Sequence, residues 1–333
     1  MDIERVAGGN CTPPFPVHEA LADAFVAAHA TPSAGRDATL AHALGVCAGF
    51  AYADAATVAL MVTRLGLEAS ACMRIAQTVD AMYVYSTAYL VQSRCGRVAI
   101  LAYRGTETTN LGHWIGDGDV GSESSQLLTG TGESLRVHAG FYRNLRLTRL
   151  AVVDALELAL HGKSLLDPSK RLEHSLEALY VTGHSLGGAM AALFALTLGR
   201  DDRERALLAR LRAIYTYGQP MAIGGPLTMA VDAVARRLHR HVLPRDPVPA
   251  LPPTAWGRFA HFGHEYVYSD GRWAQSKTPV AQLKSATGIP RALLAIFATE
   301  KRRASHPLTA ADHGPHQYLA ALRPAGHVNE LGD

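Results

Sequence analysis

The sequence has few cysteines and little net charge. Its 333 residues include four cysteines, and their spacing matches no zinc-binding or redox motif, so we expect free thiols. The formal net charge is +3, and the compact basic run at 301–303 has no aromatic residues between its charges. A nucleic-acid partner is therefore not expected. The cysteines all lie in the first third of the chain, at positions 11, 47, 72 and 95.

The sequence also has no long apolar run. The apolar stretch 51–62 is short and contains Asp54, so no transmembrane segment is predicted. Residues 1–5 carry charges, and no apolar leader segment follows them. By default we therefore expect a cytoplasmic protein of bacterial type, while secretion stays open.

The composition is that of a globular protein with a substantial core, since 48% of the residues are hydrophobic and 18% are charged. Strand-like runs alternate with helical runs. This order predicts an α/β fold with a mostly parallel central sheet and helices on both faces. No linker or repeat is visible, so we expect a single domain over 1–333. Residues 1–80 are predicted to form an N-terminal helical elaboration of it.

The most informative segment is Gly183-His184-Ser185-Leu186-Gly187, which follows a β-prone run and precedes a helical run of small residues. Glycine on both sides of the serine allows a sharp, strained turn that a Cβ at either position would obstruct. Such a nucleophile elbow presents the Ser185 hydroxyl. It also places the Leu186 N–H at a helix N-terminus, where it can stabilise an oxyanion. The motif predicts acyl transfer through an acyl-serine, and the alternative is a buried helix with an incidental serine.

An activated serine needs a base, and the base needs an acid that orients it. In folds with this elbow the chain order is serine, then acid, then histidine. Asp246 directly follows a predicted strand, which suits the acid, although an ordinary turn aspartate before proline fits the local sequence equally well. Both His313 and His316 follow Asp246, and both stay open as the base.

A second oxyanion donor is expected in the loop after an early strand. Thr106 lies in that place and could offer both its backbone N–H and its hydroxyl. An ordinary turn at the end of the strand is the alternative interpretation.

Six motifs occur in a characteristic order along the chain. They are Tyr-Arg-Gly-Thr-Glu at 103–107, Trp-Ile-Gly-Asp at 114–117, Val-His-Ala-Gly-Phe at 137–141, the elbow at 183–188, Thr-Tyr-Gly-Gln-Pro at 216–220 and Arg-Asp-Pro-Val-Pro-Ala-Leu-Pro at 245–252. Together they resemble the class 3 lipase family, the fungal-type triacylglycerol lipases and their bacterial relatives. The resemblance runs from about residue 38 to residue 322.

The resemblance implies an α/β-hydrolase fold with Ser185, Asp246 and a C-terminal histidine as catalytic triad. It also implies an oxyanion hole made by the N–H groups of Thr106 and Leu186. Bacterial members of the family have a tyrosine five residues after the histidine, as Tyr318 follows His313. The resemblance therefore favours His313 as the base, with His316 as the alternative, and it makes residues 107–120 a candidate lid.

We predict a serine carboxylic-ester hydrolase, a lipase or esterase, that cleaves acylglycerols or similar lipid esters without a cofactor or metal. The expected partner is a lipid ester, met at a lipid–water interface. A phospholipase or other lipid acyl hydrolase is the alternative. A lipase-like binding protein with an inactive site is less favoured, because the triad residues are all present. Candidates for the rim that binds the acyl chain are Leu111, Trp114, Ile115, Val248 and Leu251.

Overall fold

The computed structural model describes residues 1–10, 17–31, 35–79, 84–106, 124–225, 228–284, 309–329 and 331. The strands of the main sheet are β1 (Asp2–Ala7), β2 (Ala71–Val79), β3 (Val84–Gln92), β4 (Val98–Tyr103), β7 (Ala178–His184), β8 (Leu211–Tyr217), β10 (Leu238–Val242), β11 (His264–Ser269) and β12 (Arg272–Gln275). A small sheet contains β5 (Ser124–Leu128), β6 (Ser134–His138) and β9 (Ile223–Gly224).

The main sheet has a parallel centre and antiparallel edges. Its order within the described residues is β1-β2-β3-β4-β7-β8-β10-β11-β12. The neighbours from β4 to β11 pair in parallel, whereas β1 to β4 and the pair β11–β12 are antiparallel. The carboxyl ends of β7, β8 and β10 therefore lie at one edge of the sheet, where parallel folds place their functional groups.

Helices cover both faces of the main sheet. They are α1 (Leu21–Ala27), α2 (Ala38–Phe50), α3 (Ala55–Leu65), α4 (Ala139–Leu160), α5 (Leu186–Thr197), α6 (Asp202–Arg210), α7 (Met229–Ala235) and α8 (Pro315–Leu322). Residues of α4, α5, α6 and α7 share one buried cluster with the sheet, and residues of α1, α2, α3 and α8 share the other. Successive β7 residues alternate between the clusters, because a strand points successive side chains to opposite faces. The predicted α/β architecture with helices on both faces is confirmed.

Helix α5 lies at the centre of the fold and is buried along its whole length. Its glycine and alanine residues let it approach the sheet closely. A Cβ on Gly188 would lie 3.1 Å from the Gly183 carbonyl oxygen and 3.3 Å from the Thr216 Cβ. The small-residue run that follows the serine in the sequence is thus explained by packing.

Some strands were not predicted from the sequence. The N-terminal region contains the predicted helices, but also β1 and β2, which pair with each other in register from Asp2 with Ala76 to Ala7 with Ala71. The segment of β2 lies within residues 1–80, which the sequence predicts to be helical. No strand was predicted from the sequence for the hairpin β5–β6. In both cases pairing with a partner strand outweighs a weak local preference.

The expected lid at 107–120 lies outside the described residues, as do the rim candidates Leu111, Trp114 and Ile115. No helix in the described part of the chain has the length and apolarity needed to cross a bilayer.

Candidate active site

The elbow residue Ser185 has a backbone conformation that is rare for a residue with a side chain, with φ 58° and ψ −129°. It separates the end of β7 from the start of α5. A Cβ on Gly183 would overlap the Gly187 carbonyl, and a Cβ on Gly187 would overlap the Tyr103 carbonyl oxygen. The Ser185 N–H donates to the Tyr217 carbonyl oxygen at 2.9 Å, which fixes the turn against β8. The two glycines are therefore required for packing as well as for the turn.

Asp246 lies four residues after the end of β10, in the proline-rich loop. It is buried, with 5% of its surface exposed. Its Oδ2 is 2.8 Å from Nδ1 of His313, and its Oδ1 accepts the N–H of Val248 at 2.8 Å. The carboxylate is thus held by its own loop and is directed at the imidazole.

The structure distinguishes the two candidate bases. His313 ends a short 3-10 helix at 310–313, is fully buried and bonds to Asp246. Its carbonyl oxygen accepts from Nε2 of His184 at 2.7 Å. His316 is exposed on α8 and contacts the side chain of its neighbour Gln317. Only His313 of the two therefore lies beside the proposed acid.

Tyr318 completes the environment of the proposed acid, a contact that the sequence does not reveal. Its hydroxyl donates to Asp246 Oδ2 at 2.6 Å and accepts the Leu243 N–H at 3.2 Å. Burial, and then the charge of Asp246, raise the pKa of Tyr318 well above its ordinary value of 10. The hydroxyl therefore keeps its proton and remains a donor. Its spacing from His313 was a usable signal, but the spacing alone does not reveal the partner.

Gly218 is a second residue whose part in the site the sequence did not reveal. It has φ 58°, and a Cβ there would lie 2.8 Å from Asp246 Oδ2 and 2.9 Å from His313 Nδ1. The glycine at the end of β8 leaves the space in which the acid and the histidine meet. The motif Tyr-Gly-Gln-Pro marked this strand end without showing what the glycine faces.

The serine and the histidine are close to each other in the fold but are not hydrogen-bonded. Ser185 Oγ and His313 Nε2 are both buried, and neither has a hydrogen-bond partner among the described residues. Ligand-free sites often have long nucleophile–base distances that shorten when substrate binds. These two atoms are the pair that a proton transfer would use.

A small cavity opens at Ser185. Its lining brings together the elbow, the proposed oxyanion residues and residues 245–252, the acid loop that contains Asp246. The lining residues are Thr106, Phe141, Ser185, Leu186, Pro220, Val248 and Leu251. The Leu186 N–H is at the start of α5, where the first helical N–H groups have no acceptor within the helix. Val248 and Leu251, two of the candidates for the acyl-binding rim, line this cavity, and Phe141 and Pro220 join them from two motifs that suggested no such contact. No cluster able to hold a metal occurs among the described residues.

The sequence model of the class 3 lipase family matches residues 100–256 of this chain, which include most of β4, the elbow and the acid loop. This part of the chain has the sequence pattern of the class 3 lipase family. A triacylglycerol lipase of Ricinus communis is 26% identical over 251 residues, which are 65% of this chain and 46% of the plant protein. A lipase of Rhizomucor miehei is 30% identical over 203 residues, 61% of this chain and 50% of the fungal protein. The chain thus spans about half the length of the curated relatives it matches.

Solved lipases share the fold. The crystal structure of a lipase from Rhizopus microsporus var. chinensis superposes with a TM-score of 0.56 at 21% identity, covering 85% of this chain and 90% of that one. At this identity the likeness establishes the α/β-hydrolase fold. His313 lies beyond the matched segment 100–256 of the lipase family, so its assignment depends on the contacts described above.

Proposed function

We propose that this protein is a serine carboxylic-ester hydrolase of the lipase type, with Ser185 as nucleophile, His313 as general base and Asp246 as the orienting acid. The observation that carries the proposal is a strained, buried serine at a cavity, next to which the ring of the carboxylate-bound His313 lies 4.6 Å from the ring of His184, the residue before the serine. Mono-, di- and triacylglycerol lipases among the relatives support an acylglycerol or a similar lipid ester as substrate.

The reaction begins when His313 Nε2 takes the Ser185 proton and Oγ forms a bond to the ester carbonyl carbon. The carbonyl π electrons move to its oxygen, and the N–H groups of Leu186 and Thr106 stabilise the resulting oxyanion. Asp246 holds the imidazole through Nδ1 and stabilises its protonated form. Ser185, Leu186 and Thr106 line the same cavity, so the nucleophile and the two oxyanion donors can reach one carbonyl group.

Collapse of the oxyanion then breaks the carbonyl–alkoxy bond, and His313 returns the proton to the leaving alcohol. Water enters, loses a proton to the same nitrogen and attacks the acyl-serine. The second collapse releases the acid and restores the Ser185 hydroxyl. The apolar side chains of Phe141, Val248 and Leu251 lie where the acyl chain would begin. They favour an apolar acyl group over a charged one.

The test is hydrolysis of p-nitrophenyl esters from acetyl to palmitoyl by the purified protein, with the Ser185→Ala variant as control. We expect activity that increases with acyl length and falls by about 10⁶-fold in the variant. Equal activity of the variant would refute the assignment of Ser185. Preference for acetyl over all longer esters would refute the lipid substrate and leave a small-ester esterase.

The finer parts of the proposal have separate tests. Turnover of emulsified triacylglycerol against a phosphatidylcholine dispersion distinguishes a lipase from a phospholipase. A rise in rate above the solubility limit of a triacylglycerol would support action at a lipid–water interface. The cytoplasmic location expected from the sequence stays a prediction, and fractionation of a producing culture tests it.

A further inference from the structure

Tyr52 connects the N-terminal helices to the loops of the proposed active site. It lies just after α2 and is half-buried, with its hydroxyl 2.9 Å from Nδ1 of His184. The other ring nitrogen of His184, Nε2, lies 2.7 Å from the carbonyl oxygen of His313. Two hydrogen bonds in series therefore connect the Tyr52 hydroxyl, through the ring of His184, to the backbone carbonyl of His313, the proposed base.

The chemistry of the two ends fixes the direction of this chain. A carbonyl oxygen can only accept, so Nε2 of His184 carries the proton. In the neutral ring Nδ1 is then an acceptor, and the Tyr52 hydroxyl donates to it. Burial, and then the nearby His313, lower the pKa of His184 well below its ordinary value of 6.5. The ring thus stays neutral, and Tyr52 selects one of its two tautomers.

The same hydroxyl lies against residues 104–106, which follow β4 and include Thr106. A Cβ on Gly105 would overlap the Tyr52 hydroxyl and would lie 2.6 Å from the His184 carbonyl oxygen. The Arg104 guanidinium lies 5.8 Å from the centre of the Tyr52 ring, within cation–π range. Tyr52 therefore contacts the proposed oxyanion loop as well as the elbow.

We propose that Tyr52 and His184 are positioning residues, which together hold the backbone of His313 where its Nε2 serves Ser185. The inference rests on the proposed ester hydrolysis. Asp246 holds the His313 ring at Nδ1, but a ring held at one atom can still pivot. The bond from His184 to the His313 carbonyl supplies the second point of attachment. Neither positioning residue needs to touch the substrate.

Loss of the Tyr52 hydroxyl should disturb the base rather than the binding of substrate. Without its donor, Nδ1 of His184 is a buried acceptor, which is unfavourable. The other tautomer of His184 is no more favourable, because its unprotonated Nε2 would direct a lone pair at the His313 carbonyl oxygen. The base would then occupy the productive position for a smaller fraction of the time, which lowers kcat and leaves KM nearly unchanged.

The first experiment compares Tyr52→Phe with Tyr180→Phe on p-nitrophenyl butyrate. Tyr180 is a matched control, since it is buried and its hydroxyl donates to the Phe25 carbonyl oxygen at 2.7 Å, away from the site. We expect Tyr52→Phe to lower kcat by about tenfold with KM within about twofold, whereas Tyr180→Phe lowers thermal stability and leaves kcat unchanged. Equal kcat values for Tyr52→Phe and the wild type would overturn the inference.

The second experiment tests the donor of His184 by rescue. His184→Gln keeps an amide N–H near the position of Nε2, whereas His184→Leu has similar bulk and no donor. We expect the glutamine variant to retain more of kcat than the leucine variant, and equal losses would mean that His184 only fills space. An inactive wild type would refute the proposed function itself, whereas an active wild type with unaffected Tyr52→Phe and equal His184 variants would refute only this inference.

Discussion

The two sides of His313 differ in how completely their contacts are made. On the acid side, Nδ1 is 2.8 Å from Asp246, whose Oδ2 also accepts from Tyr318. On the serine side, Nε2 and Ser185 Oγ are buried and have no hydrogen-bond partner among the described residues. In the proposed mechanism, one side is assembled before substrate arrives, and the other is left for substrate to complete.

The difference follows from the cost of burying each kind of group. A buried carboxylate needs hydrogen bonds at all times, because an unpaired charge in the interior is strongly unfavourable. Asp246 accordingly has three donors: the His313 ring, the Tyr318 hydroxyl and the Val248 N–H. A neutral hydroxyl next to a small cavity tolerates the lack of a partner at a lower cost. Variants on the acid side should therefore disturb a fixed geometry.

The largest effect on the acid side is expected for Asp246→Asn. The amide can still accept the Val248 N–H, but it lacks the charge and can favour the wrong tautomer of His313. We expect kcat to fall by about 10⁴-fold. The matched control is Asp312→Asn, which removes a carboxylate one residue from His313 that pairs loosely with Arg245 at 3.7 Å. Asp246→Asn with activity close to that of Asp312→Asn would show that the acid side is not assembled for catalysis.

Gly218→Ala should disturb the meeting point of Asp246 and His313 without removing a functional group. The new Cβ would lie within 3 Å of both side chains, so they must separate. We expect kcat to fall by about 10²-fold, since small misplacements of a base have effects of that size. Gly271→Ala is the control: its φ of 76° imposes similar backbone strain, but no atom lies within 4 Å of the new Cβ. Equal activities of the two variants would exclude a steric role for Gly218.

Tyr318→Phe should have a smaller effect, because Asp246 keeps two of its donors. The substitution removes the hydroxyl that donates to Oδ2 and leaves the Leu243 N–H without its acceptor. We expect kcat to fall by about tenfold and the melting temperature to fall as well. A variant that loses stability but no activity would restrict Tyr318 to folding, and would weaken the contrast between the two sides of His313.

The smallest effect on activity is expected for a substitution of His239, a histidine that has no carboxylate partner among the described residues. His239 is fully buried, stacks on Tyr215 at 4.8 Å, and neither of its ring nitrogens has a partner in the described part of the chain. Burial, with smaller contributions from nearby His29, His264 and Arg36, lowers its pKa to about 3. The unfolded chain therefore binds a proton at His239 below about pH 6.5 that the folded chain does not bind. Stability falls as the pH drops from there toward 3.

Urea unfolding at pH 7.5 and pH 5 tests this sign. We expect the wild type to be less stable at pH 5, and His239→Phe to reduce the difference by about 1–2 kcal/mol, since each unit of pKa shift is worth about 1.4 kcal/mol. An equal pH dependence in His239→Phe and the wild type would contradict the neutral state of His239.

Local rules make the elbow and the acid loop predictable from sequence. The turn needs glycines at fixed positions around Ser185, and Asp246 lies in a proline-rich loop soon after a strand, so both signals lie within a few residues. The choice between His313 and His316 needed family knowledge, because nothing local distinguishes a buried from an exposed histidine. The structure places His313 against Asp246, which lies 67 positions earlier in the sequence.

Contacts between distant segments could not be predicted. Tyr52 and His184 are 132 residues apart, and each segment has an adequate local interpretation without the other. Similarly, β2 lies in a region predicted to be helical, whereas in the structure it pairs with β1 on one edge and with β3 on the other. Gly218 was visible as a glycine at a strand end, but only the folded chain reveals which side chains a Cβ would meet.

The most direct test of the account is to locate the residue that a fluorophosphonate modifies in the folded protein. A reactive serine beside its base should form a stoichiometric adduct, and mass spectrometry of the peptides should assign it to Ser185. The account predicts complete labelling of Ser185 in the wild type, greatly slowed labelling in Asp246→Asn and none in Ser185→Ala. Labelling at another residue, or no labelling of a folded wild-type protein, would contradict it.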